Sequence, residues 1–245
     1  MNCKKLFVLS VVVLSMWTMN AHAQKLKNFF ENKDSSFTWL GVDFTQARLI
    51  GDAAAKTDAI VDKEFTAINQ VIVNEEKKYD VPGAFHRTKY RTSIGIVNKR
   101  NEAINGDALL SDDSDDFERL KPEDITKLVK SYDFAGKTGI GVMMVMEGMS
   151  KTAKSASMYL TIVDMDRKNV LMTERFIGKG QKISFGWRNY WLATIKDALD
   201  NVGDDYNKLK EKSASASDPA EETVAAPAPK KESKPGAVKK AKKKG

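Results

Sequence analysis

The sequence predicts a single domain of the α/β or α+β class, in which helices pack on a mixed β-sheet. Residues 139–147 (GIGVMMVME) are an almost unbroken apolar run, as expected of a strand covered on both faces. Residues 157–165 alternate in polarity, and residues 170–177 return after a polar turn at 166–169. Amphipathic helical stretches elsewhere would cover this sheet, so the predicted element order is β-α-β-α-β-β-β-α.

The first half of the chain supplies two strands and one helix. Residues 37–44 (FTWLGVDF) predict a strand, and residues 90–97 (YRTSIGIV) predict a second. Residues 53–78 predict a helix that the segment 80–83 (DVPG) ends. Its apolar residues recur at steps of four, three and four: Val61, Phe65, Ile68 and Ile72. Residues 98–116 are expected to form a loop.

The second half supplies two more helices around the three central strands. Pro122 begins a short helix, with acidic residues in its first turn, that Gly136 ends. After a loop at 178–182, residues 184–202 predict the last helix. We expect one common core, made of Val142, Met144, Leu160, Ile162, Leu171, Phe65, Ile68, Leu128, Trp191 and Ile195.

Both ends of the chain differ in composition from its body. Residues 1–23 predict a signal peptide, with two lysines, an apolar run at 6–17 and the small-x-small site Ala21-His22-Ala23, so Gln24 would begin the mature chain. The alternative is an uncleaved membrane anchor, although the apolar run is shorter than the roughly 20 residues that span a bilayer. Residues 24–207 form the predicted globular domain. Residues 208–245 predict a disordered Lys/Ala/Pro-rich tail, and residues 24–36 a polar lead-in.

The positive charge lies mostly in the tail. The whole chain has a formal charge of +7, and residues 208–245 carry eleven lysines against five acidic residues. The predicted globular domain is therefore close to neutral. We expect the tail to contact anionic polymers or lipid surfaces. The lysines involved would be Lys230, Lys231, Lys234, Lys239, Lys240, Lys242, Lys243 and Lys244. A tail that only aids solubility is the alternative.

Few residues suit catalysis or metal binding. Cys3, the only cysteine, lies in the predicted signal peptide, so the mature chain would form no disulfide. His86 would be its only histidine, which excludes a multi-histidine zinc site. The acidic run 112–116 lacks EF-hand spacing and predicts a solvated loop, with loose binding of a divalent ion as the alternative. Residues 136–141 (GKTGIG) lack the first glycine of a P-loop and predict a turn. We expect no metal and no cofactor.

Two sets of residues remain candidates for a site. Five carboxylates could include a pair for acid–base catalysis, or could be solvent-facing residues at strand ends: Asp43, Asp52, Glu147, Asp164 and Asp166. In the last helix, Trp187, Tyr190 and Trp191 form an aromatic stripe that is more typical of core than of a binding surface. Arg188 and Asn189 lie off that stripe and are candidates for contact with a partner.

Four segments together resemble an uncharacterised family of secreted proteins from Bacteroidota-type bacteria. They are WLGVDF followed by LIGD at 39–52, KKYDVPGAF at 77–85, PEDI and YDFAGKTGIG at 122–141, and FGWRNYW at 185–191. The resemblance covers residues 37–202 and implies export into a Gram-negative envelope. It implies no activity, cofactor or catalytic residue. A looser pattern likeness is to periplasmic α/β domains of the TolB and CsgG type.

These observations favour a non-enzymatic secreted or periplasmic protein of the cell envelope, at the cell surface or in the periplasm. Its sheet domain would bind another envelope component, and nucleic acid fits an exported protein poorly. The alternative is a carboxylate-based hydrolase that acts on a cell-wall or glycan substrate. No transmembrane segment is expected after signal cleavage.

Overall fold

The computed structural model describes residues 24–181 and 185–215. Seven strands form one sheet: β1 Thr38–Asp43, β2 Arg48–Ile50, β3 Arg91–Thr92, β4 Leu110–Ser111, β5 Ile140–Ser150, β6 Ser155–Asp164 and β7 Asn169–Lys179. The mixed α/β single domain predicted from the sequence is confirmed. The predicted signal peptide and most of the predicted tail lie outside the described residues.

The sheet combines an antiparallel meander with parallel pairs. Strand β6 pairs antiparallel with β5 on one side and with β7 on the other. The other edge of β5 pairs in parallel with β1 along its first half and with β2 along its second half. Beyond them, β3 is parallel to β1 and β4 is parallel to β2. Two short strands thus follow one another along the same edge of β5.

Seven helices pack around this sheet. Helix α1 spans residues 24–31. Helix α2 is continuous through Thr57–Ala59, a π-helical turn at Ile60–Glu64, and Phe65–Asn74. The others are α3 Val81–Ala84, α4 Gly95–Asn101, α5 Pro122–Lys130, α6 Trp187–Asp204 and α7 Tyr206–Ser215. Short 3₁₀ turns occur at Gly106–Ala108 and Ser114–Glu118.

The buried apolar residues form two clusters rather than the one core predicted. The larger cluster joins one sheet face to α1, α2, α6 and α7, and it contains most of the predicted core. The smaller cluster joins the opposite face to α4 and α5, and it contains Leu128. Leu171 is only partly buried, against the larger cluster. The prediction of one common core was wrong because both faces of β5 and β6 are covered, each by different helices.

The predicted strand at 90–97 is wrong over most of its length. Only Arg91 and Thr92 pair with β1, and α4 begins at Gly95. Val97 and Asn101, one helical turn apart, are both buried. A short apolar run such as SIGIV fits either a strand or a helix, so the pattern alone could not decide.

Both ends of the domain are helical where the sequence predicted irregular chain. Residues 24–31 form α1, and Leu26, Phe29 and Phe30 are buried at helical spacing. At the other end α7 extends past residue 207, so residues 208–215 of the predicted tail are helical. Leu209 is buried there, and Tyr206 Oη donates a hydrogen bond to Phe30 O at 2.9 Å.

Candidate functional site

A break in the edge pairing of β5 lies beside a large cleft. Strand β1 ends at Asp43 and β2 begins at Arg48, and residues 44–47 between them pair with no strand. Thr45 and Gln46 of this link line the cleft. We call this cavity of about 810 Å³ the β1 cleft. Its remaining lining residues are Arg48, Gly95, Ile96, Lys99, Arg100, Ala103, Ile104, Asn105, Ala108, Leu109, Ser131, Asp133 and Ala135.

The β1 cleft lies where the strand order changes direction. From β1 the chain passes through β2 and α2 to β3 on one side of β1, and β5 lies on the other side. Both β3 and β5 are parallel to β1, and the carboxyl end of β1 lies beside the middle of β5, which continues to Ser150 next to β2. In open α/β sheets, the crevice at the carboxyl ends of such strands is where ligands bind.

Side-chain amides complete the hydrogen bonding of β1 above this cleft. Strand β3 pairs only with the first two residues of β1, so Val42 and Phe44 have no strand partner on that side. Asn69 of α2 accepts from Val42 N at 2.7 Å and donates to Val42 O at 3.1 Å. Asn101 of α4 accepts from Phe44 N at 2.8 Å and donates to Val42 O at 3.0 Å. These bonds fix both helices against β1.

Gly41 allows the close approach of Asn69. Its φ is +103°, which side chains with a Cβ rarely adopt, and the pairing of β1 with β5 shifts register there. A Cβ at Gly41 would lie 2.9 Å from Asn69 Oδ1. The glycine therefore sets the distance between α2 and β1.

Arg100 is held at the wall of the β1 cleft by three neighbours. Its guanidinium lies over the Tyr132 ring at 4.2 Å from the centroid. Its Nη atoms donate to Ser131 O at 3.5 Å and Ser131 Oγ at 3.3 Å. Its Nε is 3.9 Å from Asp43 Oδ2 and has no hydrogen-bond partner within the described ranges. These contacts orient the arginine, and its Nε makes no hydrogen bond in the described part of the chain.

Asp43 lies behind Arg100 as a fully buried acceptor. Thr45 N donates to its Oδ1 at 2.7 Å, and Tyr132 Oη donates to its Oδ2. Burial first, and then the charge of Asp43, raise the pKa of Tyr132 well above its usual value. Tyr132 therefore remains a protonated donor to Asp43 at all physiological pH values. Asp43 supports the cleft wall and does not line the cavity.

Two further cations line the β1 cleft without a carboxylate partner. Neither Arg48 nor Lys99 forms an ion pair with any described acidic residue. Arg119 lies behind Gln46 and donates to its carbonyl oxygen. Burial and the nearby positive charge of Arg48 lower the pKa of Arg119. The half-buried Arg48 thus adds positive charge to this wall, whereas Arg119 pairs with Asp116 at 3.7 Å.

The polar groups of the lining suit an anion better than a cation. Three lining residues are cationic, and Asp133 is the single carboxylate among them. Asp133 Oδ1 already accepts a hydrogen bond from Ala135 N at 2.9 Å. Thr45 Oγ1 is buried and has no hydrogen-bond partner among the residues described. Arg48, Lys99 and Arg100 could donate hydrogen bonds to an oxyanion bound in the cavity, from which the buried Thr45 Oγ1 is covered.

The candidate carboxylates do not assemble in the β1 cleft. Asp43, Glu147 and Asp164 are fully buried and Asp52 is 7% exposed, so the interpretation as solvent-facing residues is wrong for these four. Glu147 accepts from Ser157 Oγ at 2.8 Å and pairs with Arg175 at 3.0 Å. Asp52 pairs with Lys151 at 2.8 Å. These pairings tie strands together rather than leaving a carboxylate free for chemistry.

Asp164 and Asp166 are the two candidates that the fold brings together. Both pair with Lys25 of α1, at 2.8 Å and 3.0 Å respectively. Gly139 N also donates to Asp166 at 3.0 Å. The hydrogen bond from Gly139 and the one from Lys25 lower the pKa of Asp166. This group fastens α1 to the turn between β6 and β7.

The remaining candidates lie away from the β1 cleft. Arg188 is half-buried, and its guanidinium pairs with Glu64 at 2.7 Å. Asn189 is exposed and donates to Phe185 O at 2.9 Å. Trp191 is fully buried, as expected of a core stripe. The lysines of the tail, from Lys230 to Lys244, lie outside the described residues.

Two sequence motifs have plain structural roles. The segment 136–141 is a turn that leads into β5, as the sequence predicts. In the acidic run, Asp113 caps the 3₁₀ turn at Ser114–Glu118. Across residues 24–181 and 185–215, no three His, Cys, Asp or Glu side chains are grouped to hold a metal ion. None of the described helices has the length and apolar character that a bilayer crossing demands.

The sequence gives little signal for the β1 cleft. Arg48, Lys99 and Arg100 resemble ordinary surface residues in the printed sequence. Ile96, Lys99, Arg100 and Ala103 lie on one side only if residues 95–101 are helical, and the sequence predicts a strand and a loop there. No protein-family model, curated protein or solved structure matches this chain.

Proposed function

We propose that this protein is a non-enzymatic binding protein of a Gram-negative cell envelope, and that it holds a small anionic ligand in the β1 cleft. The observation that carries the proposal is the excess of cations in a cleft beside the carboxyl end of β1. Arg48, Lys99 and Arg100 line it against the single carboxylate Asp133. The predicted signal peptide supports the location in the envelope.

The geometry favours binding over hydrolysis. Glycoside hydrolysis uses two carboxylates flanking the scissile bond. The β1 cleft has only Asp133, and the buried carboxylates are occupied by cations and hydrogen-bond donors. Binding by contrast needs only fixed donors and a shaped cavity, and Arg100 is already oriented by Tyr132 and Ser131.

The experiment that tests this function is a titration with inorganic pyrophosphate, a compact anion. We expect saturable binding by isothermal titration calorimetry, which weakens as salt rises because the contact is electrostatic. Arg48→Gln and Lys99→Gln should each reduce affinity about tenfold, which corresponds to the loss of one charge-assisted contact of about 1.4 kcal/mol. Both residues lie outside the buried clusters, so the variants should fold.

Arg91→Gln is the matched control, because Arg91 is exposed on β3 and does not line the cleft. Its affinity should equal that of the unmodified protein. Absence of saturable binding, or an equal loss in all three variants, would contradict a site in the β1 cleft.

A further inference from the structure

The face of α4 that lines the β1 cleft is both cationic and aliphatic. Ile96, Lys99 and Arg100 of α4, and Ala103 just after its end, follow the spacing i, i+3, i+4, i+7 and line the cavity. The opposite face carries Val97 and Asn101, and the side-chain amide of Asn101 bonds to Phe44 N and Val42 O. One helical surface therefore presents positive charge and apolar surface to the same space.

The segment after α4 adds to the aliphatic part of the cleft. Ile104 is half-buried and Leu109 is buried, and both line the cavity. No aromatic side chain is among the lining residues, and the ring of Tyr132 is covered by Arg100. A planar base or sugar ring would thus lack the aromatic surface on which such groups usually stack.

The size of the cleft also exceeds that of a lone oxyanion. Cavities of roughly 300–1,000 Å³ hold whole organic ligands that bury most of their surface. At about 810 Å³ the β1 cleft belongs to this class. The anion-binding side chains occupy only part of the lining, so an organic body would fill the rest.

We infer that the ligand is an amphiphilic anion, with one phosphate or carboxylate head and an aliphatic body. This inference rests on the proposed function and adds the class of ligand. The head contacts Arg48, Lys99 and Arg100, and the body packs against Ile96, Ile104 and Leu109. Each methylene buried in this way is worth up to about a fourfold gain in affinity.

The experiment is a calorimetric comparison of five probes on the full mature chain, each below its micellar concentration. They are n-octyl phosphate, n-octanoate, inorganic phosphate, n-octyl glucoside and adenosine monophosphate. We expect octyl phosphate or octanoate to bind at least tenfold more tightly than inorganic phosphate. Whichever of the two binds more tightly identifies the head group. The neutral glucoside should not bind, and adenosine monophosphate should not exceed inorganic phosphate.

Variants separate the two halves of the ligand. Ala103→Phe fills the aliphatic side at an exposed position, and it should remove the advantage of the octyl chain while leaving phosphate affinity unchanged. Ile104→Ser should do the same. Leu110→Ser is the control, because Leu110 is exposed on β4 and does not line the cleft.

The outcomes distinguish this inference from the function on which it rests. Equal affinity for octyl phosphate and inorganic phosphate would overturn the aliphatic body and leave anion binding intact. Tighter binding of adenosine monophosphate would also overturn it. Equal binding of octyl glucoside and octyl phosphate, or no binding of any anion, would overturn the anionic site itself.

Discussion

Asn69 and Asn101 take the place of a longer neighbouring strand along β1. Val42 and Phe44 are fully buried, and their main-chain groups would otherwise lack partners. A buried polar group without a hydrogen bond costs about 1–3 kcal/mol, so the amides contribute to stability mainly by avoiding this loss. They also fix α4, whose outer face lines the β1 cleft.

Replacement of Asn101 by alanine should therefore destabilise the fold. Phe44 N would lose its acceptor. Val42 O would lose one of the two side-chain amides that donate to it. We expect a loss of about 1–3 kcal/mol in the free energy of unfolding, measured by urea denaturation. Asn74→Ala is the matched control, since Asn74 is exposed and bonds only to Gln70, and it should change stability by less than about 0.5 kcal/mol. Equal effects would contradict the role of Asn101.

The sequence does not reveal these residues. Asn101 falls in a segment that the sequence predicts as loop, where asparagine is common. Asn69 lies beside the apolar stripe of Phe65, Ile68 and Ile72, where the sequence shows no reason for an amide. These amides are needed because β3 ends at Thr92, before the end of β1. The β1 cleft exists because β1 and β2 pair with successive parts of the same edge of β5. Both are consequences of strand register, which one sequence does not specify.

Among the elements, β5, β6, β7 and α6 were predicted correctly because their polarity patterns are long. Strand β5 is buried along its whole length, and its sequence is continuously apolar. Strands β3 and β4 have two residues each, which is too short for any periodicity. Helix α1 was missed because Lys25 and Lys27 interrupt its apolar residues and suggest solvent exposure.

Part of the outer edge of β7 is closed by α6. Asp197 accepts from Lys179 N at 2.8 Å, and Asn201 donates to Ile177 O at 3.3 Å. Gly178 makes this approach possible, because a Cβ there would overlap Thr194 O. An exposed edge strand is a template for association with another sheet, and these contacts remove that template near the end of β7.

Helix α7 should contribute to stability even though it begins what the sequence predicts as tail. Leu209 is 3% exposed within the larger core cluster. Leu209→Ala should cost about 2 kcal/mol, at the low end for a buried leucine because a terminal helix can detach. Leu110→Ala is the matched control, since Leu110 is 41% exposed, and it should cost less than about 0.5 kcal/mol. Urea denaturation of both variants would test this, and equal costs would show that α7 does not pack on the core in solution.

At the scale of the whole molecule, ion pairs as well as apolar packing attach helix α1 to the rest of the domain. Lys25 connects α1 to Asp164 and Asp166, which lie far away in sequence. Burial lowers the pKa of Lys25, but the two carboxylates outweigh burial, and the net shift is upward. The lowered pKa of Asp166 gives this contact a pH dependence.

Asp166 should stabilise the protein at neutral pH and lose that contribution in acid. Its folded pKa lies below the ordinary 3.8, so near pH 4 the unfolded chain binds more protons. The contribution is present above about pH 4 and disappears as pH falls through the folded pKa. Asp166→Asn should therefore be less stable than the unmodified protein at neutral pH, by a margin that shrinks below about pH 4.

Urea denaturation across this pH range would measure that margin. Asp62→Asn is the control, because Asp62 is exposed on α2 and should show no such margin. A margin for Asp166→Asn that stays constant into acid would show that its charge is not the cause.

The charge of the tail gives a prediction for the full chain. Eight lysines between Lys230 and Lys244 should bind anionic liposomes, at about 1 kcal/mol per lysine near the surface. A version that ends at Ser215 keeps α7 and should not bind. Cosedimentation at low and high salt would measure this, with zwitterionic liposomes as the control. Equal binding by both versions would exclude the tail as an electrostatic tether.

The attachment of α1 has a consequence for the order of events during synthesis. Helix α1 is synthesised early. Phe30 O cannot accept its hydrogen bond from Tyr206 until 176 further residues have been synthesised, and Lys25 cannot pair with Asp164 until that residue has been added. Closing such long loops is slow, so α1 should dock late in folding. Until then Leu26, Phe29 and Phe30 have no core to cover them. The nascent chain would therefore expose an apolar segment for most of its synthesis.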